Sequence, residues 1–322
     1  MKKIITQVSA AAKHLLGVFV FMMMTYSLAA QVYWAGTIST DWNNAGNWLD
    51  GNIPTASDEV LILNGVPRMP EVLSGTATAQ LVYVQSGATL TIMAAGILDI
   101  KGATGYPLGC FFIEGTVTNH GRVTLGQTAT PGDYGLVNEG TFLNSAGGTF
   151  LAERFNNIAV WNRGSAAVLT NAGSLTANLG DLGSGANIYN EGTIHNNVGG
   201  EIKTDKNRGA GLNNRPGATV TNAGRMLFGL VGGNSVSIFN FSHFENRQSG
   251  VITIINSDAG IFNTTSGSNS VFINEGRISI GVEAKTNSPG IINEGFSGES
   301  ITFENRAGGV IELGDTRVGI HN

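Results

Sequence analysis

Beyond residue 30 the apolar residues come in short runs, such as "TLTIMAAGILDI" at 89–100 and "VITII" at 251–255, rich in β-branched types. Gly, Asn and Ser interrupt them every few residues. Apolar and polar side chains alternate within many of these runs, the two-residue period of a half-buried strand, and no long stretch keeps a helical period. The pattern predicts many short strands joined by turns, an all-β chain.

A longer period lies over the short one. "GLVNEGTFLNSAGG" at 135–148 returns as "NIYNEGTIHNNVGG" at 187–200. An Asn preceded by two or three mostly apolar residues recurs at Asn138, Asn162, Asn190, Asn214, Asn240, Asn263, Asn293 and Asn322, spaced 23 to 30 residues apart. Ile113 and Gln85 extend the series upstream. Most units carry a second Asn, at Asn144, Asn171, Asn197, Asn222, Asn246, Asn274 and Asn305. Self-similarity at this period is the mark of a solenoid, whereas a propeller blade needs about forty residues or more. Three short extended pieces per unit predict a right-handed parallel β-helix of about nine coils, over residues 80–322. Each coil pairs with its neighbours at about 4.8 Å.

The repeated Asn and Gly belong at corners of such a coil. Asn tolerates left-handed backbone and bonds to nearby main chain, and Gly takes positive φ without steric cost. Stacked coils bring like residues together. An amide carries two donors and an acceptor, so Asn above Asn predicts a ladder along the axis. The residues after four anchors, Glu139, Arg163, Glu191 and Arg215, alternate in sign and predict a second, charged ladder on the outside.

The first thirty residues read differently. Lys2, Lys3 and Lys13 flank an apolar run, Leu15 to Met24, and Ala29 and Ala30 offer small residues for cleavage. This is a secretory signal peptide over residues 1–30, too short to span a bilayer, and export of the rest is expected. Its removal leaves 15 basic against 23 acidic residues, a net charge of −8. Nucleic acid is excluded as a partner on that balance. Later runs are too short to predict a transmembrane segment. The single cysteine, Cys110, sits in the apolar "LGCFFIEG" and reads as a core thiol. With 46 Gly but 42% apolar and 13% charged residues, the chain is not a disordered tail.

Residues 31–79 form a Trp-rich segment, "YWAGTISTDWNNAGNWLDGNIPTASDEVLI", with Trp34, Trp42 and Trp48 close together. It resembles the leader near the mature N-terminus of repetitive secreted surface proteins of Gram-negative bacteria, those using type IX secretion or carrying autotransporter-like passengers. "VYVQSGATLTIMAAGILDI" is similar to their first coils. The resemblance implies export, a β-helical shaft and a place at the cell surface or in the matrix, and it carries over no catalytic residue. An open β-helix end exposes strand edges, so the segment is expected to form an N-terminal β cap rather than a sugar-stacking platform. The terminal "VGIHN" matches the start of a unit, so that coil is expected to meet further chain or another protein.

Chemistry is sparse. A polysaccharide hydrolase needs two carboxylates about 5 to 10 Å apart on one groove. The densest material is "GGEIKTDKNRG", where Glu201, Lys203, Asp205, Lys206 and Arg208 read as a solvated loop. Asp133, Asp181, Asp205, Asp258 and Asp315 precede coil anchors, where an Asx turn explains each and a calcium row is the alternative. His120, His195, His243 and His321 lack zinc spacing. No catalytic, cofactor-binding or metal residue is assigned. The expectation is a secreted or cell-surface, adhesin-like structural protein meeting surface glycans or extracellular matrix. The alternative is a polysaccharide lyase or hydrolase, or a carbohydrate-binding module, on a pectin-lyase-like β-helix.

Overall fold

In the computed structural model each repeat closes into one turn of a parallel β-solenoid. The structure describes residues 30–102, 108–126, 133–177, 185–205, 209–230, 234–281, 289–295, 298–316 and 318–322. The N-terminal lysines and Leu15–Met24 lie outside the described residues, as do Asp181, Lys206 and Arg208. A representative turn runs through Tyr134–Asn138, Thr141–Asn144 and Thr149–Ala152, and the next begins at Ile158–Asn162. Turn on turn, these strands build three parallel faces. Face 1 has twelve strands, from Gln31–Tyr33 to Ile320–His321. Faces 2 and 3 begin joined in the long strands Glu71–Ala79 and Thr89–Ile100, then part at the corner after Asn119.

The stack has about ten turns, one more than the nine expected from residue 80. The additional turn is Glu59–Ile62 with Glu71–Ala79, which pairs in parallel with the turn below. A single 3-10 turn at Ala45–Asn47 is the only helix among the described residues. No helix there is long and apolar enough to cross a membrane.

Alternation decides what goes inside. In Thr141–Asn144, Phe142 and Asn144 are buried while Thr141 and Leu143 are half-exposed. In-register parallel pairing then superimposes equivalent side chains along the axis. Phe244, Phe272 and Phe303 stack almost parallel, with centroids 4.6 and 5.0 Å apart. Phe244 and Phe272 are fully buried, and each such burial contributes roughly 1.5–3 kcal/mol.

The Asn residues line up in two ladders. On face 1, Asn138 donates to Asn162, Asn162 to Asn190, Asn190 to Asn214 and Asn214 to Asn240, each at 2.8 Å, and the series continues to Asn322. On face 2 a parallel series runs from Asn119 through Asn144, Asn171, Asn196, Asn222, Asn246 and Asn274 to Asn305. From Asn138 to Asn263 the face 1 amides also donate to the main chain; Asn162, for example, donates to Thr193 O at 3.1 Å. A polar column is thereby held inside the solenoid with its donors engaged.

Two register assignments need correction. Asn196, not Asn197, stands in the face 2 ladder, because Ile194 points in, His195 out and Asn196 in. Val84, not Gln85, lies over Ile113, and Gln85 has already entered the corner, where its side-chain oxygen accepts from Asn64 N. Ile113 offers no donor, so the uppermost face 1 amide, Asn138, keeps an unpartnered oxygen.

Corner glycines serve two purposes. A Cβ at Gly140 would lie 2.1 Å from Gly115 O, so the close approach of the neighbouring turn excludes any side chain. At Gly147 and Gly199 the backbone is left-handed, with φ of 83° and 82°.

Trp34, Trp42 and Trp48 are buried in the hydrophobic core at the N-terminal end. Trp48 stands edge-on to both others at 4.9 Å and donates its indole N–H to Trp42 O. With these rings enclosed, none presents a face on which a sugar could stack.

Candidate binding surface on face 1

The described charges of the 201–208 stretch, Glu201, Lys203 and Asp205, do not converge on a site. Glu201 and Lys203 point outward from face 3 and pair at 2.5 Å, with Arg225 of the next turn 3.5 Å from the same carboxylate. Asp205 follows the end of that strand and is buried, unlike the half-exposed Glu201 and Lys203. Asp133, Asp258 and Asp315 are exposed. Register sets Asn157 beside Asp133 and Ser235 beside Asp258, so neither of these aspartates stacks on another. No three His, Cys, Asp or Glu among the described residues gather as metal ligands do. His195 hydrogen-bonds Thr221 at 2.8 Å, and burial, helped by the Arg247 cation, lowers its pKa. Cys110 is buried in the core, which pushes its thiol up to about 12. A thiol held neutral in this way is a poor nucleophile.

A different feature emerges from the strands of face 1. Because each anchor Asn points inward, the residue before it points outward, and in-register pairing joins these positions into one row along the axis. In the upper half the row holds Leu61, Tyr83, Phe112 and Val137, all buried. Leu63, Leu108 and Tyr134 pack over this half. Tyr83 stacks on Phe112 at 5.5 Å and donates its hydroxyl to Glu114 at 2.6 Å. Burial first, and then the Glu114 carboxylate, raise the pKa of that phenol.

The lower half is open. Trp161, Tyr189, Asn213, Phe239 and Phe262 follow one another in register and are half-exposed. Trp161 meets Tyr189 edge-on at 5.9 Å, and Phe239 contacts Phe262 at 4.9 Å and Phe241 at 4.6 Å. The row is broken once, at Asn213.

Beside it runs the column of residues after each anchor. The expected alternating ladder forms at a single rung, where Arg163 bonds Glu139. Glu191 instead accepts from the Trp161 indole at 3.3 Å and from Gly164 N at 3.1 Å. Both arginines also meet rings: Arg163 lies over Phe112 and Trp161, and Arg215 lies 5.5 Å from the Tyr189 centroid and 5.2 Å from that of Phe241. A weakly hydrated planar cation gains more from two aromatic faces than from one exposed carboxylate. Partial burial raises the Tyr189 pKa and the Arg215 cation opposes that shift.

Two hollows interrupt this surface. One of about 320 Å³ lies between Tyr189 and Phe239, with Asn213 in its wall and Gly185, Ala186, Gly209 and Ala210 around it. Another, of about 390 Å³, is bounded by Phe239, Phe241, Phe262, Thr264, Glu294 and Gly295. Both fall in the size range of small-ligand sites. Sequence reading missed this surface, although its signal was present one position before each anchor.

Comparison with known proteins adds little about function. Residues 33–116 match the model of a domain of unknown function, DUF8693. No curated protein matches the chain. Among solved structures, the crystal structure of a TibC-catalysed hyper-glycosylated TibA fragment is similar, at 15% identity over 91% of this chain and 98% of that one, with a TM-score of 0.29.

Proposed function

We propose that this chain is a non-catalytic, adhesin-like β-solenoid acting at the cell surface or in the surrounding matrix, and that it makes its contacts through the open half of the outward row on face 1. The observation carrying this reading is the row itself. Trp161, Tyr189, Phe239, Phe241 and Phe262 crowd together where an outward face ordinarily carries polar side chains. A cluster of half-exposed aromatic side chains on an outward face suits an interaction site. The partner class it suits is surface glycan or matrix, since aromatic faces flanked by Arg and Glu match rings edged with hydroxyls. The apolar run in residues 1–30 supports export, and the buried tryptophans of residues 31–79 support a capping role at the head of residues 80–322.

A catalytic reading draws no support from the charged residues of face 3, where Lys203 and Arg225 both pair with the one carboxylate of Glu201. The test is to incubate the purified chain with immobilised polysaccharides and matrix proteins. Saturable retention without product release is expected, and Phe239→Ala should weaken it several-fold. Release of shortened chains from any polysaccharide would overturn the non-catalytic assignment. Deleting residues 2–30 should keep the protein inside the producing cell, and continued export would remove the basis for placing it outside.

A further inference from the structure

The break at Asn213 is the most informative point on the open row. Tyr189 and Phe239 belong to turns on either side of it, two strand spacings apart, about 9.6 Å. A ring placed at the level of Asn213 would lie about one strand spacing, ~4.8 Å, from the turns that carry Tyr189 and Phe239, beside the Phe239–Phe241 stack. The hollow at this point is bordered by glycine and alanine, which leave room for such a ring.

Two polar groups specify what ring it should be. The Asn213 amide oxygen is cut off from solvent and has no hydrogen-bond partner. A buried acceptor left unpaired is costly, and a hydroxyl entering the gap would satisfy it after a small rotation of the amide. Arg215, two residues on, makes its two ring contacts and has no ion pair among the described residues. It is thus a half-exposed cation held in place by Tyr189 and Phe241. An aromatic side chain from a protein partner could fill the gap, but it would leave both polar groups unanswered.

We propose that the gap between Tyr189 and Phe239 is a subsite for one acidic pyranose, a uronate residue of a glycan, stacked between the two rings with a hydroxyl on Asn213 and its carboxylate on Arg215. This rests on the reading of face 1 as the contact surface and names the ligand class for it. A fixed guanidinium beside a stacking slot prefers the acidic sugar over its neutral counterpart.

The chain carries its own reporter. Of its four tryptophans, Trp34, Trp42 and Trp48 are buried, whereas Trp161 is half-exposed and touches Tyr189. The full chain is titrated with galacturonate, glucuronate-containing and alginate oligosaccharides, and with neutral oligosaccharides of equal length, while Trp161 emission is followed. A saturable change is expected with at least one acidic series and at least tenfold weaker binding of the neutral ones. Arg215→Gln should reduce affinity for the acid about tenfold and leave the neutral sugars unchanged. Asn213→Phe supplies the missing ring, so it should abolish binding while the melting temperature holds or rises. Thr219→Ala, on face 2, serves as the control and should bind normally. No response to any uronate, equal binding of neutral and acidic sugars, undiminished binding by Asn213→Phe, or displacement of the uronate by an aromatic peptide would each overturn the subsite. Retention on glycan and matrix surfaces separates the two levels. If the wild type and Asn213→Phe are retained equally, the subsite falls and the contact surface stands; if the wild type is not retained at all, both fall.

Discussion

Asn190 and Tyr189 are neighbours on one strand and face opposite environments. Inside, Asn190 is enclosed between Asn162 and Asn214, and the hydrogen bonds fix its identity, because only a group that both donates and accepts can continue the column. Outside, Tyr189 stands between Trp161 and Asn213, and neither neighbour dictates what it must be. The interior therefore repeats a letter, while the exterior repeats only a position. In a stacked fold, repetition of residue type reports on stability, and departure from it on an open face reports where the molecule has been fitted to something else.

The severest way to break the contrast is Asn190→Asp, which keeps the shape and changes one group. As a neutral acid the new side chain can still accept from Asn162 and donate to Asn214; as a carboxylate it can only accept, and it would be buried against an oxygen. Its folded-state pKa is thus raised above the unfolded value of about 3.9. The sign follows from linkage: with the folded state holding the proton more tightly, the variant gains stability relative to wild type as pH falls. Holding the acid neutral at pH 7 costs about 4 kcal/mol, shrinking by about 1.4 kcal/mol per unit towards pH 4. Denaturant melts of both proteins between pH 4 and 7 check it, and a pH-independent difference would show that the amide column is not a proton-sensitive one.

A second interior change leaves hydrogen bonds alone. Phe272 is stacked between Phe244 and Phe303, so Phe272→Leu removes two ring contacts while keeping most of the apolar volume. The expected loss is about 1–3 kcal/mol, read from the same melts. No loss would mean that the phenyl column is volume filling and nothing more.

The interior was legible in the sequence to the extent that the letter repeated. Asn138, Asn162 and Asn190 stand in single file as their spacing predicts, since every turn must meet the same corner. Where two asparagines were adjacent, at Asn196 and Asn197, spacing alone chose the wrong one, although the alternation of Ile194, His195 and Asn196 carries the answer. Gln85 was misplaced by one residue for the same reason: no amide marks Val84, the residue that lies over Ile113. The open row was harder to read. Trp161, Tyr189, Asn213 and Phe239 share a register but no chemistry, so a search for like residues passes over them. The charges after each anchor were easy to see and misleading, because a one-dimensional pattern shows that Arg215 can pair with Glu191 but not that its guanidinium lies over Tyr189 and Phe241.

Outside, the comparison predicts the opposite balance of effects. Tyr189→Ala should cost the fold about 1 kcal/mol, one cation–π contact and one aromatic edge on a half-exposed ring. The same change should weaken the retention on glycan or matrix surfaces proposed for face 1 by tenfold or more. Thermal melting and surface binding of the one variant measure both. A large stability loss with unchanged binding would reverse the assignment of inner and outer roles.

The smallest expected effect concerns the one charged rung that forms. Arg163 and Glu139 pair on a half-exposed rim, where solvent screening leaves an ion pair worth only a few tenths of a kcal/mol. Arg163 also covers Phe112 and Trp161, so Arg163→Ala removes packing as well as charge. A double-mutant cycle with Glu139→Gln separates the two contributions. Coupling of about 0.5 kcal/mol that shrinks at high salt is expected, with the larger part of the Arg163→Ala loss independent of Glu139. If the coupling accounts for the whole loss, the arginines of this face are held by carboxylates rather than by rings, and Arg215, which has rings and no carboxylate partner among the described residues, would lose its claim to be fixed in place for a ligand.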